Sequence, residues 1–254
     1  MRKRLIPVLL LDRYRRLVKT VRFGERTYIG DPFNVVRLFN EKEVDEIAVL
    51  DIDAGPEGRT PDFGFLRELA SECFIPLAYG GGIAEIAHCE QLNRIGVEKL
   101  VFGHASFASG LLAEVSRDLG SQAVVACLDV VGSGEQARCV TRSGRVRHDL
   151  HPLQHAMALQ EAGAGEIIVQ SVDRDGLRKG MDLDLIDSLA DRLEVPVVAL
   201  GGAGNLQHLA QALKSGASAV ASGSAFSFIG RLRGVLITYP TRRAVDEELQ
   251  KVTA

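Results

Sequence analysis

The sequence has few cysteines, and none of them stands in a Cys-x-x-Cys pair. They are Cys73, Cys89, Cys127 and Cys139. Their spacing matches neither a zinc-ligand pattern nor a disulfide framework, which is typical of a protein in a reducing cytosol. No apolar run approaches the ~20 residues that span a bilayer, and no cleavage site follows the short apolar run near the start. These absences predict a cytoplasmic protein with no membrane segment.

Positive charge is not in excess either. The formal net charge is −3, tryptophan is absent and aromatic residues make up 6% of the chain. A nucleic-acid surface needs a basic patch, often with aromatic platforms, so no nucleic-acid partner is predicted. With 254 residues, 46% of them hydrophobic, the chain is long enough to bury a full core.

A metal site is not indicated by the one histidine-rich segment. His148, His151 and His155 lie close together in the sequence. Pro152 places His151 just outside the following helix, and no thiol or fixed carboxylate completes a ligand set. We expect a polar loop near a rim, and no metal.

Short β-branched-rich apolar runs recur along the chain, separated by amphipathic stretches such as residues 62–73 and 206–215. The runs cover residues 5–11, 46–52, 76–80, 99–103, 123–129, 166–171, 195–200 and 218–222. Eight strand-helix units in about 250 residues predict an α/β protein, a single (β/α)8 TIM barrel that occupies residues 1–254.

The two halves of the chain resemble one another. Residues 76–82 (PLAYGGG) match residues 196–202 (PVVALGG), and residues 103–107 (GHASF) match residues 222–226 (SGSAF) at nearly the same offset. The repeat predicts two half-barrels, about 1–120 and 121–238, followed by a C-terminal helix at about 239–251.

Glycines follow several predicted strands, where they let the backbone approach a ligand and leave N–H groups free at a helix start. In barrels of this kind, loops at the carboxyl ends of strands often bind phosphate. The candidates are Gly81, Gly82, Gly103 and His104 in the first half, and Gly201, Gly202, Gly223 and Ser224 in the second. The alternative is that the glycines only serve tight strand-to-helix turns.

Four segments together resemble the cyclase subunit of imidazole glycerol phosphate synthase. They are residues 76–83 (PLAYGGGI), 162–168 (AGAGEII), 171–176 (SVDRDG) and 201–204 (GGAG). The likeness covers about residues 3–228, and the SVDRDG motif favours this family over the related isomerase. The resemblance implies a (β/α)8 barrel without a cofactor, in which ammonia from a docked glutaminase crosses the interior to a substrate with two phosphates.

In that family two aspartates act as acid and base at the top of the barrel. The resemblance assigns one of these acid-base roles to Asp129, at the end of the fifth predicted strand. It also adds Asp175 and Gly176 to the phosphate-site candidates. The other aspartate falls on Leu10, which cannot transfer a proton. Asp12 is the nearby carboxylate, but it stands two residues on, ~6–7 Å farther along an extended chain.

The candidate phosphate site in the first half of the chain departs from the family as well. Gly103 and His104 stand where the family has Asn-Thr, and Gln170 stands where a Thr begins the sixth-strand motif. We therefore expect an acceptor other than the family's own substrate.

The resemblance also implies a charged ring at the bottom of the barrel, through which ammonia enters. Its members fall on Arg4, Glu46, Lys99 and Glu166. The two basic and the two acidic positions of the family's ring are therefore all retained. A single charge before a strand is usually a solvated loop end, but inward charges at a barrel mouth need partners. The ring favours ammonia conduction.

Glutaminase activity is not expected in the chain itself, because no cysteine lies in a Gly-x-Cys-x-Gly elbow. The resemblance implies a separate glutaminase of the triad class, forming a heterodimer. Divergent relatives with an altered first strand further imply an amidino-sugar pathway for O-antigen or lipopolysaccharide, with a third protein that activates the sugar.

Three hypotheses follow. In the first, the chain delivers ammonia to a phosphorylated or nucleotide-linked acceptor. In the second, it is a true cyclase of histidine biosynthesis in which Asp12 replaces the lost aspartate. In the third, it is a non-catalytic barrel that only activates the glutaminase.

Overall fold

Eight parallel strands close into a barrel in the computed structural model, which describes residues 3–107, 110–230 and 232–252. The first strand pairs with the second at Val8 and Ala48 and with the eighth at Arg4 and Ala219. The remaining neighbours pair in parallel around the barrel. The predicted (β/α)8 fold is confirmed.

The predicted strand positions agree with the observed ones to within two residues at either end. The barrel strands are β1 Arg4–Leu11, β2 Ile47–Asp51, β3 Leu77–Gly80, β4 Lys99–Phe102, β5 Val124–Val131, β6 Glu166–Ser171, β7 Val197–Leu200 and β8 Ala219–Ser222.

Helices follow the strands and cover the outside of the barrel. The main helices are α1 Pro32–Glu41, α2 Phe63–Ser71, α3 Ile86–Arg94, α4 Leu111–Leu119, α5 Pro152–Glu161, α6 Leu183–Ala190, α7 Leu206–Lys214 and α8 Arg242–Lys251. A short helix spans Ala54–Glu57, and 3-10 turns span His104–Phe107, Ser121–Ala123, Gly134–Gln136 and Val172–Arg174. In the part of the chain so described, no helix is both long and apolar enough to cross a bilayer.

Capping residues explain where several helices begin. The side chains of Asp31, Asp62, Asp182 and Asn205 each accept an N–H from the first turn of the helix that follows. Such a bond satisfies a donor that has no partner within the helix. Asp62 therefore starts α2 at Phe63, at the beginning of the amphipathic stretch in the sequence.

The core has two layers, because side chains along a strand alternate between two faces. In β1, Ile6 and Val8 point into the barrel, whereas Leu5 and Leu9 pack against the helices. Leu10 continues the inward series and is partly buried against the interior cluster. The inward face of β1 is thus apolar from Ile6 to Leu10.

Three antiparallel hairpins extend from the barrel, and the sequence did not predict them. The strands of the first, second and third hairpins are Leu17–Thr20 with Arg26–Gly30, Arg138–Thr141 with Val146–Arg147, and Phe228–Ile229 with Gly234–Val235. The tips of the first two place Phe23 and Arg142 at positive φ without an Asn-Gly turn signal. The first continues from β1 and the second from β5, so both stand above the carboxyl ends of the strands.

Candidate functional site

A cavity of about 180 Å³ opens at the carboxyl ends of the strands, beneath the first two hairpins. We call it the mouth cavity. It is lined by apolar side chains from the strands, by carboxylates and by cations from the hairpins. Its lining includes Leu10, Leu50, Asp51, Gly81, Gly82, Val101, Gly103, His104, Cys127, Asp129, Arg142 and Gln170.

Asp129 lies on β5 in the wall of this cavity, next to Gln170 of β6 in the sheet register. Burial, together with the charge of Asp175, raises the pKa of Asp129 to about 7. The Cys127 thiol donates a long hydrogen bond to its Oδ1 at 3.9 Å. A carboxyl group that is half-ionised near neutral pH is suited to proton transfer.

Leu10 also lines the mouth cavity, but the lining does not include Asp12. The Asp12 carboxylate faces its own turn, where it accepts hydrogen bonds from the Tyr14 N–H at 2.9 Å and the Arg16 guanidinium at 2.7 Å. Burial opposes ionisation of Asp12, but these hydrogen bonds outweigh it and lower its pKa. The structure therefore brings Asp129 to the mouth cavity and keeps Asp12 out of it.

Asp51 is a carboxylate of the mouth cavity that the sequence analysis missed. It ends β2, and its Oδ1 accepts N–H groups from Asp53 and Ala54 at 3.0 and 2.9 Å. Burial raises its pKa despite the nearby Arg59. The signal was available, since Asp51 follows an apolar run in the sequence (IAVLD) just as Asp129 does (VVACLD).

A smaller cavity lies at the ends of β6, β7 and β8, and we call it the lysine cradle. It brings together the predicted phosphate-site residues of the second half of the chain with Lys19 and Thr20 of the first hairpin. Its lining includes Lys19, Thr20, Gln170, Asp175, Gly176, Gly201, Gly202, Gly223 and Ser224.

Lys19 is buried in this cradle, and its Nζ donates to the Val8 carbonyl at 2.5 Å. Burial lowers its pKa to about 8, although the charge of Asp175 opposes that shift. A Cβ at Gly223 would lie 2.8 Å from the Lys19 Nζ, so glycine leaves room for the ammonium group. Lys19 was missed because the hairpin that carries it was not predicted.

Gly81 and Gly82 lie in the mouth cavity with Gly103 and His104, as the sequence predicted for one cradle. Gly82 has a φ of +71°, and a Cβ there would meet the Arg59 carbonyl at 2.4 Å. Close backbone packing thus explains this glycine without a ligand. Gly103 is different, because a Cβ there would meet nothing within 4 Å.

The four predicted gate residues form a closed ring at the amino ends of the strands. Arg4 donates to Glu46 and Glu166, and Lys99 donates to the same carboxylates at 2.8 and 2.6 Å. Glu46 and Glu166 are only 4% and 6% exposed. Each buried carboxylate therefore has two cationic partners, as burial of a charge requires.

A narrow apolar cavity continues from this ring into the barrel. It is lined by Glu46 and Glu166 at the lower end and by Leu50 and Val101 at the upper end. Leu50 and Val101 also line the mouth cavity. Hydrophobic side chains therefore connect the charged ring to the mouth cavity.

The histidine-rich segment is arranged as a cap and a ring stack. His151 Nδ1 accepts from the Leu153 N–H at the start of α5. The Phe107 ring lies 4.1 Å from both the His148 and the His155 rings. Within residues 3–107, 110–230 and 232–252, no three histidine, cysteine or acidic side chains are grouped to hold a metal ion.

Comparison with known proteins adds a sequence relationship to this geometry. A family model described as "Histidine biosynthesis protein" matches residues 4–232. The protein named "Putative imidazole glycerol phosphate synthase subunit hisF2" from Pseudomonas aeruginosa is 44% identical over 248 residues, which cover 96% of this chain and 98% of the relative. The "Putative imidazole glycerol phosphate synthase subunit hisF3" of Vibrio vulnificus is 39% identical, with 95% and 94% covered. A relative from Leptospira borgpetersenii, named as a HisF subunit of the same synthase, is also 39% identical, with 94% and 96% covered.

Proposed function

The chain belongs to the histidine biosynthesis protein family, and on that premise we propose that it is the cyclase-type subunit of a glutamine amidotransferase complex. A separate glutaminase of the triad class supplies ammonia at the charged ring. The barrel delivers the ammonia to an acceptor in the mouth cavity. The relatives' names describe synthase subunits, which supports a partner chain.

The observation that carries the proposal is the ring of Arg4, Glu46, Lys99 and Glu166 below an apolar interior. The ring is neutral as a whole, so a neutral ammonia molecule crosses it without meeting an uncompensated charge. The apolar interior disfavours ammonium, because a charge is costly to desolvate there. The arrangement therefore favours passage of ammonia as the neutral molecule.

The mouth cavity suits an acceptor other than a twin-phosphate cyclase substrate. Leu10 removes one acid-base position, while His104 and Gln170 change the polar groups that face the ligand. Lys19 supplies a cation for one phosphate, and the glycines around it let the phosphate approach the backbone N–H groups. We propose a phosphorylated or nucleotide-linked sugar, amidinated in O-antigen or lipopolysaccharide biosynthesis after activation by a third protein.

Asp129 has one chemical task in this scheme. The ammonia nitrogen attacks the carbon that the third protein has activated and becomes positively charged as the new C–N bond forms. The bond between that carbon and the oxygen of the activating group then breaks, and the activating group leaves with the electron pair. The Asp129 carboxylate accepts the excess proton, and its pKa of about 7 lets it release that proton afterwards.

Co-expression with candidate glutaminases tests the partner. We expect complex formation and a glutamine hydrolysis rate at least about tenfold above that of the glutaminase alone, since assembly orders the partner's site. Lack of stimulation by the wild-type chain with every candidate would reject the proposal.

The Lys99→Met variant tests the ring. We expect it to keep complex formation but release more ammonia to solvent, because Glu46 and Glu166 each lose a cation. Lys251→Met is the matched control, because Lys251 pairs with Glu248 on the exposed surface of α8. Equal leakage from the two variants would contradict a role for the ring in conduction.

The other two hypotheses make different predictions. A true cyclase would convert the phosphoribosyl-formimino substrate with added ammonium and lose that activity in Asp12→Asn. A non-catalytic barrel would still stimulate the glutaminase as Asp129→Asn, but the wild type would form no product from any acceptor.

A further inference from the structure

The backbone on either side of the ring residue Arg4 is bound by side chains from the far end of the chain. The Tyr239 hydroxyl lies 3.0 Å from the Leu5 carbonyl oxygen, and the Arg242 Nη1 donates to the Lys3 carbonyl at 3.1 Å. Lys3 and Leu5 are the two chain neighbours of Arg4. The segment that leads into α8 therefore contacts β1 at the level of the charged ring.

The same hydroxyl also reaches the start of β2, next to the ring residue Glu46. The Asp45 N–H donates to the Tyr239 hydroxyl oxygen at 3.2 Å, and the Asp45 Oδ2 lies 3.0 Å from that oxygen. The Asp45 carboxylate in turn accepts the Leu5 N–H at 2.9 Å. One hydroxyl and one carboxylate therefore join the chain neighbours of Arg4 and Glu46.

This link lies where the backbone ladder between β1 and β2 has not yet begun. The register between the two strands starts at Val8 and Ala48, above the ring. Pro7, just below, has no N–H to donate to a ladder. The N–H and the carbonyl of Leu5 are bonded by side chains instead. The Tyr239 hydroxyl thus helps to fix the spacing of the two strand ends.

The link is outside the barrel wall, whereas the ring is inside it. Side chains alternate along a strand, so Leu5 packs against the helices while Arg4 points inward to the buried carboxylates. Tyr239 packs against the outer core layer, and the centre of its ring lies 5.4 Å from that of Phe226. Tyr239 can therefore act on the ring only through the strand backbone.

The ring tolerates little movement of that backbone. Glu46 and Glu166 are almost fully buried, and each is bonded by two cations. Arg4 is one of the two cations for both carboxylates. A shift of Arg4 away from Glu46 leaves a buried charge with a single partner, which is costly unless water enters to solvate it.

We propose that Tyr239 and Arg242 are positioning residues of the ammonia entrance, which hold Arg4 and Glu46 in contact from outside the barrel wall. The inference rests on the proposed function for the passage of ammonia through the ring. It adds a part of the chain, the segment before α8 and its first turn, on which closure of the entrance depends.

Acetylation of Lys99 in the chain alone reports the state of the ring without any partner. The Lys99 Nζ donates to Glu46 and Glu166, so it becomes more accessible to acetic anhydride when Glu46 moves away. Tyr239→Phe removes only the hydroxyl, and we expect it to speed acetylation of Lys99 about threefold. Mass spectrometry measures the rate, with the exposed Lys251 as the internal reference.

Isotope competition in the complex with the glutaminase tests the consequence for ammonia. The complex receives glutamine labelled with ¹⁵N at the amide, excess unlabelled ammonium and an extract that contains nucleotide-linked sugars. We expect Tyr239→Phe and Arg242→Met to keep the wild-type rate of glutamine hydrolysis but to lower the labelled share of the product about threefold. A residue that only stabilised the fold would not separate these two quantities.

The chain offers a matched control for each variant. Tyr28→Phe removes the hydroxyl of an exposed tyrosine. Arg243→Met removes the neighbouring guanidinium in α8, which pairs with Glu247 on the surface. Both controls should behave as wild type in the two assays.

Wild-type reactivity of Lys99 in Tyr239→Phe would overturn the proposal. So would a labelled share of product that is the same in Tyr239→Phe as in Tyr28→Phe. Lack of glutaminase stimulation by the wild-type chain would instead reject the proposed function. Acetylation of Lys99 in the chain alone would still decide whether Tyr239 holds the ring, so the two failures are distinguishable.

Discussion

At the residue scale, the contrast between Leu10 and Asp129 dominates the mouth cavity. Both line it, but only Asp129 can exchange a proton near neutral pH. The nearest carboxylate in the sequence, Asp12, is held by its own turn and by Arg16. One carboxyl group therefore stands at the two positions where the resemblance implies two aspartates.

Because the pKa of Asp129 is raised, we expect the free energy of unfolding to fall as the pH rises. Its folded pKa of about 7 exceeds the ordinary value of 3.8, so between these values the native state holds a proton that the unfolded state has released. Stability is then lost as the pH rises through this window. We expect Asp129→Asn to melt about 2–6 °C above wild type at pH 8 and near wild type at pH 4. A constant difference at both pH values would argue against the raised pKa.

Asp12 should act as a structural group. Because its pKa is lowered, it contributes stability above its ordinary pKa, and that contribution is lost as the pH falls through the folded value. With Arg16 half-exposed, we expect Asp12→Asn to cost about 1 kcal/mol at pH 7 and to leave product formation within about twofold of wild type. Thermal melting and turnover check this. Loss of turnover without loss of stability would instead make Asp12 the catalytic substitute.

Lys19 should make phosphate binding depend on pH. The protonated ammonium binds a phosphate dianion better than the neutral amine does, and its pKa is about 8. Affinity at the lysine cradle should be steady between about pH 7 and pH 8, where the phosphate is a dianion, and fall toward about tenfold per pH unit above pH 8. Calorimetry on wild type and Lys19→Met isolates this contribution, with Lys251→Met as the control. A pH dependence that persists in Lys19→Met would exclude Lys19 as its source.

At the element scale, the barrel strands were predictable and the hairpins were not. Continuous apolar runs such as residues 5–11 (LIPVLLL) mark buried strands, and Asp62 marks the start of α2. The hairpin strand Arg26–Gly30 is mostly exposed, and its turn uses Arg22 and Phe23 at positive φ. Tertiary contacts with the barrel impose these conformations, so local sequence did not indicate them.

The contact between Asp53 and Arg26 is one of these, and we expect it to hold the first hairpin against the barrel. Asp53 accepts two hydrogen bonds from Arg26 and one from the Arg13 N–H, and the Arg26 contact is the main reason that its pKa is lowered. Asp53→Asn should speed amide exchange in Arg26–Gly30 about tenfold, because the hairpin opens locally without its anchor. Hydrogen exchange read by mass spectrometry measures this, with α7 as the internal reference. Unchanged exchange in the hairpin would show that other contacts hold it.

At the scale of the whole molecule, the two ends of the barrel differ in how far they could be predicted. The resemblance predicted the ring, and each member stands at the amino end of a strand. The structure brings Arg4, Glu46, Lys99 and Glu166 together there. The carboxyl end also depends on long connections, which carry Lys19 and Arg142 into the cavities. Its chemistry was therefore only partly predictable.

Isotope tracing can show whether ammonia from a partner glutaminase crosses this barrel to the acceptor. The complex is supplied with glutamine labelled with ¹⁵N at the amide, a large excess of unlabelled ammonium and an extract that contains nucleotide-linked sugars. Mass spectrometry then reads the new product. We expect a product that carries ¹⁵N with the wild-type chain and that loses the label with Lys99→Met. A product that contains only unlabelled nitrogen would contradict it.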